Sequence, residues 1–414
     1  MIAGRFERPE HAAPGFRETW RDFGPVYAAN GLIGFIFAAS GPVAIILSVG
    51  SRGGLSEAEL ASWLFGSFFV NGLLSMLFCW RWRQPLVFFW TIPGTVLVGQ
   101  ALEHVRFPEV VGAFLLTGLL MIALAFTGWI KRLMAAVPMP IVMGMVAGVF
   151  LRFGLDLVRA MHESPAIAAP MVLAFIAASV WPALGRRAPP VIAALVAGAV
   201  AVAMVGDVGG SLAGAFELAR PVFQRPEWSA TAAFELVVPL AITVLIVQNG
   251  QGFAVLEPVG HRAPVNAVTL GCGVWSCITA LIGTVSTCLT GPTNALISSS
   301  GERHRHYTAG MFVGLLSLAF GALAPGFTRL LLATPPAFIA ALAGLAMLRV
   351  LQTAFQISFR ERFSLGALVA FLVTVANQPI VGIGAPFWGL VFGFGAAWLL
   401  ERGDFKPKTG GPAR

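Results

Sequence analysis

The chain has 414 residues, 57% of them hydrophobic and only 11% charged, with a net charge of +8 and a mean hydropathy of +0.81. A soluble globular domain carries about 25% charged residues, so this composition excludes one and calls for many membrane spans. Nucleic-acid binding is excluded too, because the 27 Lys and Arg form no run or face and sit in short connections between apolar segments.

Residues 1–26 are polar, carry Arg5, Arg8, Arg17 and Arg21, and show no cleavable signal pattern; a cytoplasmic segment is expected. A hydrocarbon core of about 30 Å takes about 20 apolar residues per helix. On that measure, spans lie near 27–49, 61–80, 85–102, 109–130, 137–158, 166–182 and 189–206. Residues 207–232, with Pro221 and Pro226, read as an outer linker in which a short surface helix has room to form. Spans recur near 233–256, 264–282, 284–299, 307–327, 333–352, 363–378 and 380–400, followed by a cytoplasmic tail over 401–414. The four cysteines fall in apolar segments without metal-site spacing and read as small buried hydrophobes.

The chain repeats itself once. A spacing of 197 residues relates Gly94 to Gly291, Pro138 to Pro335, Arg152 to Arg349, Ala188-Pro189 to Ala385-Pro386, and Gly198 to Gly395. With seven spans per half, 27–206 and 233–400, the second half enters the membrane upside down and the repeat is inverted. With the N-terminus in the cytoplasm, 19 of the 27 Lys and Arg fall on the inner side and 6 on the outer, while Arg152 and Arg349 lie inside spans. The expected fold class is an all-α membrane protein of fourteen segments in two inverted repeats, in the inner membrane with both termini cytoplasmic.

Segments three and ten are short and broken at matching places, as Thr91-Ile92-Pro93-Gly94-Thr95 and as Cys288-Leu289-Thr290-Gly291-Pro292-Thr293. The aromatic and β-branched residues from Phe88 to Ile92 favour a short strand, and a half-helix can begin at Pro93 or Gly94. Two half-helix starts facing mid-membrane would supply about one positive charge from free N–H groups, which suits a carboxylate or other small anion. Ordinary proline kinks are the alternative. Candidate binding residues there are Thr91, Pro93, Gly94 and Thr95 in the first half, and Thr290, Gly291, Thr293 and Asn294 in the second.

Span eight carries the densest polar cluster of any span, Gln248-Asn249-Gly250-Gln251-Gly252. Gln248, Asn249 and Gln251 are candidate donors to an anion, with interhelical hydrogen bonding as the alternative. Ser40 and Gly41 of Ser40-Gly41-Pro42 lie near the corresponding depth of span one. Of the aromatics Phe35, Phe37, Phe88, Phe89, Trp90, Phe253, Phe387 and Trp388, a minority could face a bound ring. Glu103 and Glu257, at span ends, are candidate proton carriers, although a boundary carboxylate is the ordinary reading. Asp156 stands at i, i+4 from Arg152, where it could pair, and the same charge recurs as Arg349, with snorkelling to the interface as the favoured reading; His304 and His306 are expected to be solvated in an inner loop. No nucleophilic triad, metal-ligand set or P-loop is visible, so the chain reads as neither an enzyme nor an ATP-driven pump, with no cofactor.

Three stretches resemble the benzoate:proton symporter family over almost all of 27–400. They are Trp90 to Gly94, then Gln248 to Gly252 continuing to Gly260-His261-Arg262-Ala263-Pro264, and Val381-Gly382-Ile383-Gly384-Ala385-Pro386-Phe387-Trp388-Gly389-Leu390. The resemblance implies a uracil-transporter-like fold, with a core of 27–130 and 233–327 and a gate of 137–206 and 333–400. It also implies alternating-access movement of benzoate or a related aromatic carboxylate with a proton, and a homodimer through the gate. The chain departs from the family at Thr287 to Asn294 and at Gly301-Glu302-Arg303-His304, where a more polar run replaces an Ala- and Ile-rich start. Two rival readings stay open: an uncoupled inorganic-anion carrier or channel of the same fold, and a nucleobase:proton symporter. Gln248 or Asn249 stands where nucleobase carriers use a glutamate, which argues against the second.

Overall fold

The computed structural model describes residues 6–181, 189–205, 217–381 and 383–405. Arg5, Arg186, Arg187, Ala188, Gly382, Lys406, Lys408, Arg414 and the first part of the linker, 207–216, lie outside the described residues.

Among the described residues, six helices are long and apolar enough to cross a membrane: Pro25–Arg52, Glu57–Trp82, Phe107–Thr127, Met139–Glu163, Ala230–Leu256 and Pro336–Phe359. Arg303–Ala322 and Ala324–Leu332 pass the same test together, bent by 67°. Shorter apolar helices run over Pro165–Val180, Pro190–Val205, Val265–Ala280, Ser364–Ala376 and Ala385–Leu400. Several begin on a proline (Pro25, Pro165, Pro190, Pro336), whose missing N–H costs nothing in a first turn. Apolar side chains such as Leu173, Val196 and Met204 stay exposed on the outside, as a lipid-facing surface requires.

The two broken segments meet at the centre. Strand β1 (Phe88–Trp90) pairs antiparallel with strand β2 (Thr287–Leu289), with Phe88 opposite Leu289 and Trp90 opposite Thr287. The ladder extends through Thr91 N–H to Ser286 O at 3.0 Å and Thr290 N–H to Val87 O at 3.1 Å. Two strands alone would leave unpaired outer edges, an unaffordable state in hydrocarbon. Side chains close them: Ser75 Oγ accepts from Phe88 N at 2.8 Å, and Ser276 Oγ accepts from Thr287 N at 2.9 Å. Ser75 and Ser276 sit on corresponding helices of the two halves, so each repeat supplies the same device.

A half-helix follows each strand, Ile92–Ala101 after β1 and Gly291–Ile297 after β2. Phe68 wedges the pair from one side, with its ring 5.4 Å from Phe89, 5.2 Å from Trp90 and 4.4 Å from Phe320. Around this centre, Met139–Glu163 packs along Pro336–Phe359. A Cβ on Gly344 would lie 2.6 Å from Leu157 Cβ, so a glycine is needed for the two helices to approach.

Candidate functional site

A cavity of about 830 Å³ opens beside the two half-helices. Its polar lining includes Ser40, Gln248, Gln251, Thr290 and Thr293, and Phe37, Phe89, Trp90, Phe150 and Phe175 give it aromatic walls. Pro93 also lines it. Helices Met139–Glu163, Pro165–Val180, Pro190–Val205 and Pro336–Phe359 complete the opposite wall.

Local sequence puts each polar group in place. The first long helix breaks at Ser40, whose backbone leaves helical geometry (φ −92°, ψ −104°), because Pro42 cannot supply a helical N–H. The Ser40 hydroxyl turns back to Phe37 O at 3.0 Å. Gln248 closes a π-helical turn, Thr243–Gln248, and Gln251 follows on the next α-turn. A widened turn of this kind shifts the helix face and exposes an amide that regular packing would cover. Neither glutamine amide has a side-chain hydrogen bond to the described residues, and both face the cavity. A Cβ at Gly291 would lie 2.5 Å from Gln251 Cγ, so glycine there lets the second half-helix approach this side chain.

The two half-helix starts are not equivalent donors. Thr91 Oγ1 accepts from Gly94 N at 3.1 Å, capping the first half-helix from within. Thr290 makes no such cap, and with Pro292 at the second position its half-helix leaves the N–H groups of Gly291 and Thr293 free of a side-chain partner. The sequence expectation of two matched positive ends is thus met unequally: the first start spends a donor on its own threonine.

Several of the expected site residues build the scaffold and do not face the cavity. Asn249 is 1% exposed and its Oδ1 accepts the Leu289 N–H at 2.7 Å, fixing β2. Asn294 Oδ1 accepts from Val87 N at 2.9 Å, and Nδ2 donates to Val87 O at 3.2 Å and Thr290 O at 2.7 Å. Thr91 Oγ1 is 3.1 Å from Thr243 Oγ1, and Thr95 Oγ1 donates to Thr91 O at 3.0 Å. Gly41 and Gly94 allow close packing; a Cβ on Gly41 would lie 2.2 Å from Ala346 Cβ, and one on Gly94 2.3 Å from Thr91 Cγ2.

Some charged positions differ from the sequence reading. Arg152 pairs with Glu103 at 2.7 Å and not with Asp156, which instead bridges Arg52 at 3.0 Å and Arg159 at 3.1 Å. Glu103 also accepts from Asn377 Nδ2 at 3.3 Å and lines a separate cavity of about 280 Å³, whereas Glu257 is exposed on a turn. His306 is buried, not solvated, and its ring nitrogen lies 3.1 Å from that of the buried His261. Burial, then the nearby His306 and Arg303, push the pKa of His261 down to about 4. Arg349 is exposed and lines the large cavity.

Glu235, a buried acid in span eight that the sequence reading passed over, meets His104 Nε2 at 2.9 Å. Its position inside an apolar span was the available signal. Among the described residues, Arg349 is the one charged side chain in the large cavity, and no acid lines it.

Comparison with known proteins fits this arrangement. Residues 21–399 match the family model described as benzoate membrane transport protein (BenE). The chain is 29% identical over 370 residues to inner membrane protein YdcO of Escherichia coli, covering 88% of this chain and 93% of that one. It is 27% identical over 386 residues to the benzoate membrane transport protein of Acinetobacter baylyi, covering 92% and 95%. Among solved structures, the transmembrane domain of the cyanobacterial bicarbonate transporter BicA aligns with a TM-score of 0.62 at 17% identity, covering 92% of this chain and 99% of that one. The murine solute carrier 26 family member A9 anion transporter, in its inward-facing state, aligns with a TM-score of 0.64 at 14% identity, covering 98% and 75%. At these identities the likeness concerns the fold.

Proposed function

The chain belongs to the BenE benzoate membrane transport family, a family of transporters and not of enzymes, and from that premise we propose that it is a secondary transporter that carries benzoate or a related aromatic carboxylate with a proton. The observation that carries this reading is the large cavity, in which aromatic walls converge on two free amides and the uncapped start at Gly291. A ring would lie against Phe89, Trp90 or Phe150, while its carboxylate accepts from Gln248, Gln251, Thr290 and Thr293.

In this reading the twelve helical spans and the two strand–half-helix units make fourteen segments in two inverted repeats. The antiparallel ladder and the matching Ser75 and Ser276 bonds support that symmetry. Segments 27–130 and 233–327 form a core that carries the site, and 137–206 and 333–400 form a gate through which two copies pair. The protein lies in the inner membrane with both termini cytoplasmic, and the cavity, lined by Met139, Pro190 and Ile357 at the inner ends of their helices, opens to the cytoplasm.

Moving one anion inward against 100 mV, inside negative, costs about 2.3 kcal/mol, and a proton moving with it removes that cost. The proton travels on Glu103, which lines the smaller cavity. Because no acid among the described residues lines the cavity, an uncoupled inorganic-anion carrier is the second reading. Uptake of labelled benzoate into proteoliposomes, with and without an inward proton gradient, separates the two. Stimulation by the gradient with competition by aromatic carboxylates is expected. Flux indifferent to the gradient and competed only by sulfate, chloride or bicarbonate would overturn the proposal.

A further inference from the structure

Arg349 lies near the middle of helix Pro336–Phe359, inside the proposed span 333–352, and is exposed. A cation at that depth is expensive and is kept where it faces a cavity or a partner. Arg349 faces the cavity, and the side-chain partner it holds among the described residues is neutral: its Nη1 donates to Gln352 Oε1 at 3.2 Å. Among the described residues no carboxylate pairs with it, and nothing else charged lines the cavity.

The other repeat shows what an arginine in this position holds. Arg152, separated from Arg349 by the repeat spacing of 197 residues, sits at the middle of helix Met139–Glu163. Its Nη1 grips the carboxylate of Glu103 at 2.7 Å, at the edge of the smaller cavity. The two arginines are thus repeat counterparts. One has a carboxylate supplied by the chain, and the other faces open space large enough for a free one.

The remaining donors of the site cannot provide that charge. Gln248, Gln251, Thr290 and Thr293 are neutral, the first half-helix start is capped by its own Thr91, and the second half-helix is only 7 residues long. Neutral donors alone would accept an amide or an acid nearly as well as a carboxylate anion.

We propose that Arg349 is the counter-cation of the transported carboxylate and sets the preference for an ionised ligand, with the Arg152–Glu103 pair as its internally occupied counterpart. This rests on the reading that the cargo is an aromatic carboxylate. When the core shifts against the gate, Arg152 gives up Glu103 on one side as Arg349 gives up the cargo on the other, so one arginine at a time is open to a ligand.

The test is equilibrium binding of labelled benzoate to the purified full chain, with neutral benzamide as a competitor of the same shape. The wild type should bind benzoate at least about tenfold more tightly than benzamide, in line with the extra strength of a hydrogen bond to a charged group. Arg349→Gln should weaken benzoate binding by about tenfold or more and leave benzamide competition unchanged, and Arg349→Lys should restore much of the loss. A wild type that binds benzoate while R349Q binds it equally well overturns this assignment and leaves the proposed function intact. If R349Q fails to fold, the wild type still decides: equal affinity for benzoate and benzamide overturns the counter-cation. A wild type that binds no carboxylate overturns the proposed function and this inference together.

Discussion

Asn294 and Val87 hold each other in both directions across the two halves of the chain: Oδ1 of Asn294 accepts the Val87 N–H at 2.9 Å while its Nδ2 donates to Val87 O at 3.2 Å. The pair ties the second half-helix to the entry of the first strand. Asn294→Leu removes both bonds and strands a buried N–H, at a cost of about 1–3 kcal/mol for that donor alone. A lower thermal midpoint in detergent, with reduced benzoate uptake, is expected. Unchanged stability would mean that the clasp contributes nothing.

Gly291→Val tests the site without touching that clasp. The new side chain would press on Gln251 from its Cγ outward and force that amide out of its place in the cavity. Benzoate binding should fall by more than tenfold with the fold retained, as judged by gel filtration and thermal midpoint. Asn249 behaves differently. Because it fixes β2 and does not line the cavity, Asn249→Leu should destabilise the protein as a whole, and a stable, binding-defective N249L would show that its role is direct contact with the ligand.

The Arg152–Glu103 pair is about half exposed, so it contributes at most about 1 kcal/mol to stability. Its weight lies in joining Ile92–Ala101 to helix Met139–Glu163 and, through Asn377, to the turn after Ser364–Ala376. Glu103→Gln should leave the thermal midpoint unchanged yet raise maleimide labelling of a cysteine introduced at Gln100, which lines the same small cavity. An unaltered labelling rate would show that the pair does not hold that side closed.

His261 gives a pH signature. Its folded pKa is depressed to about 4 by burial, so the unfolded chain takes up a proton near the ordinary histidine value before the folded one does. Stability is therefore complete above about pH 6.5 and is lost as pH falls towards 4, by at most about 1.4 kcal/mol per pH unit. His261→Asn should flatten that slope in thermal unfolding followed from pH 7 to pH 5. An identical slope in the variant would place the acid sensitivity elsewhere.

Much of this architecture is legible in the residues. Hydropathy marks the helices, and the breaks at Pro93-Gly94 and Gly291-Pro292 mark where strand becomes half-helix. Gln248 and Gln251 are legible as cavity residues because a polar group in an apolar span needs a reason to be there. The pairing of Phe88 with Leu289 is not, since nothing local says which distant edge completes a three-residue strand. Nor is the division of labour between Gln248, which faces open space, and its neighbour Asn249, which satisfies a backbone N–H. One residue of rotation on a helix separates the two roles, and the π-turn before them shifts that rotation. Arg349 was visible as a charge in a span; the direction it faces required the packing of its helix.

The ladder between Phe88–Trp90 and Thr287–Leu289 also sets a timetable for biogenesis. Its first strand leaves the ribosome roughly 200 residues before the second, about 10–40 s earlier at 5–20 residues per second. Through that interval the backbone groups on its β2-facing edge have no permanent mate in the bilayer, and water or the insertion machinery must shield them. The ligand pocket is therefore a late product of assembly, and a polypeptide arrested in its second half leaves the first with an open seam that quality control can recognise.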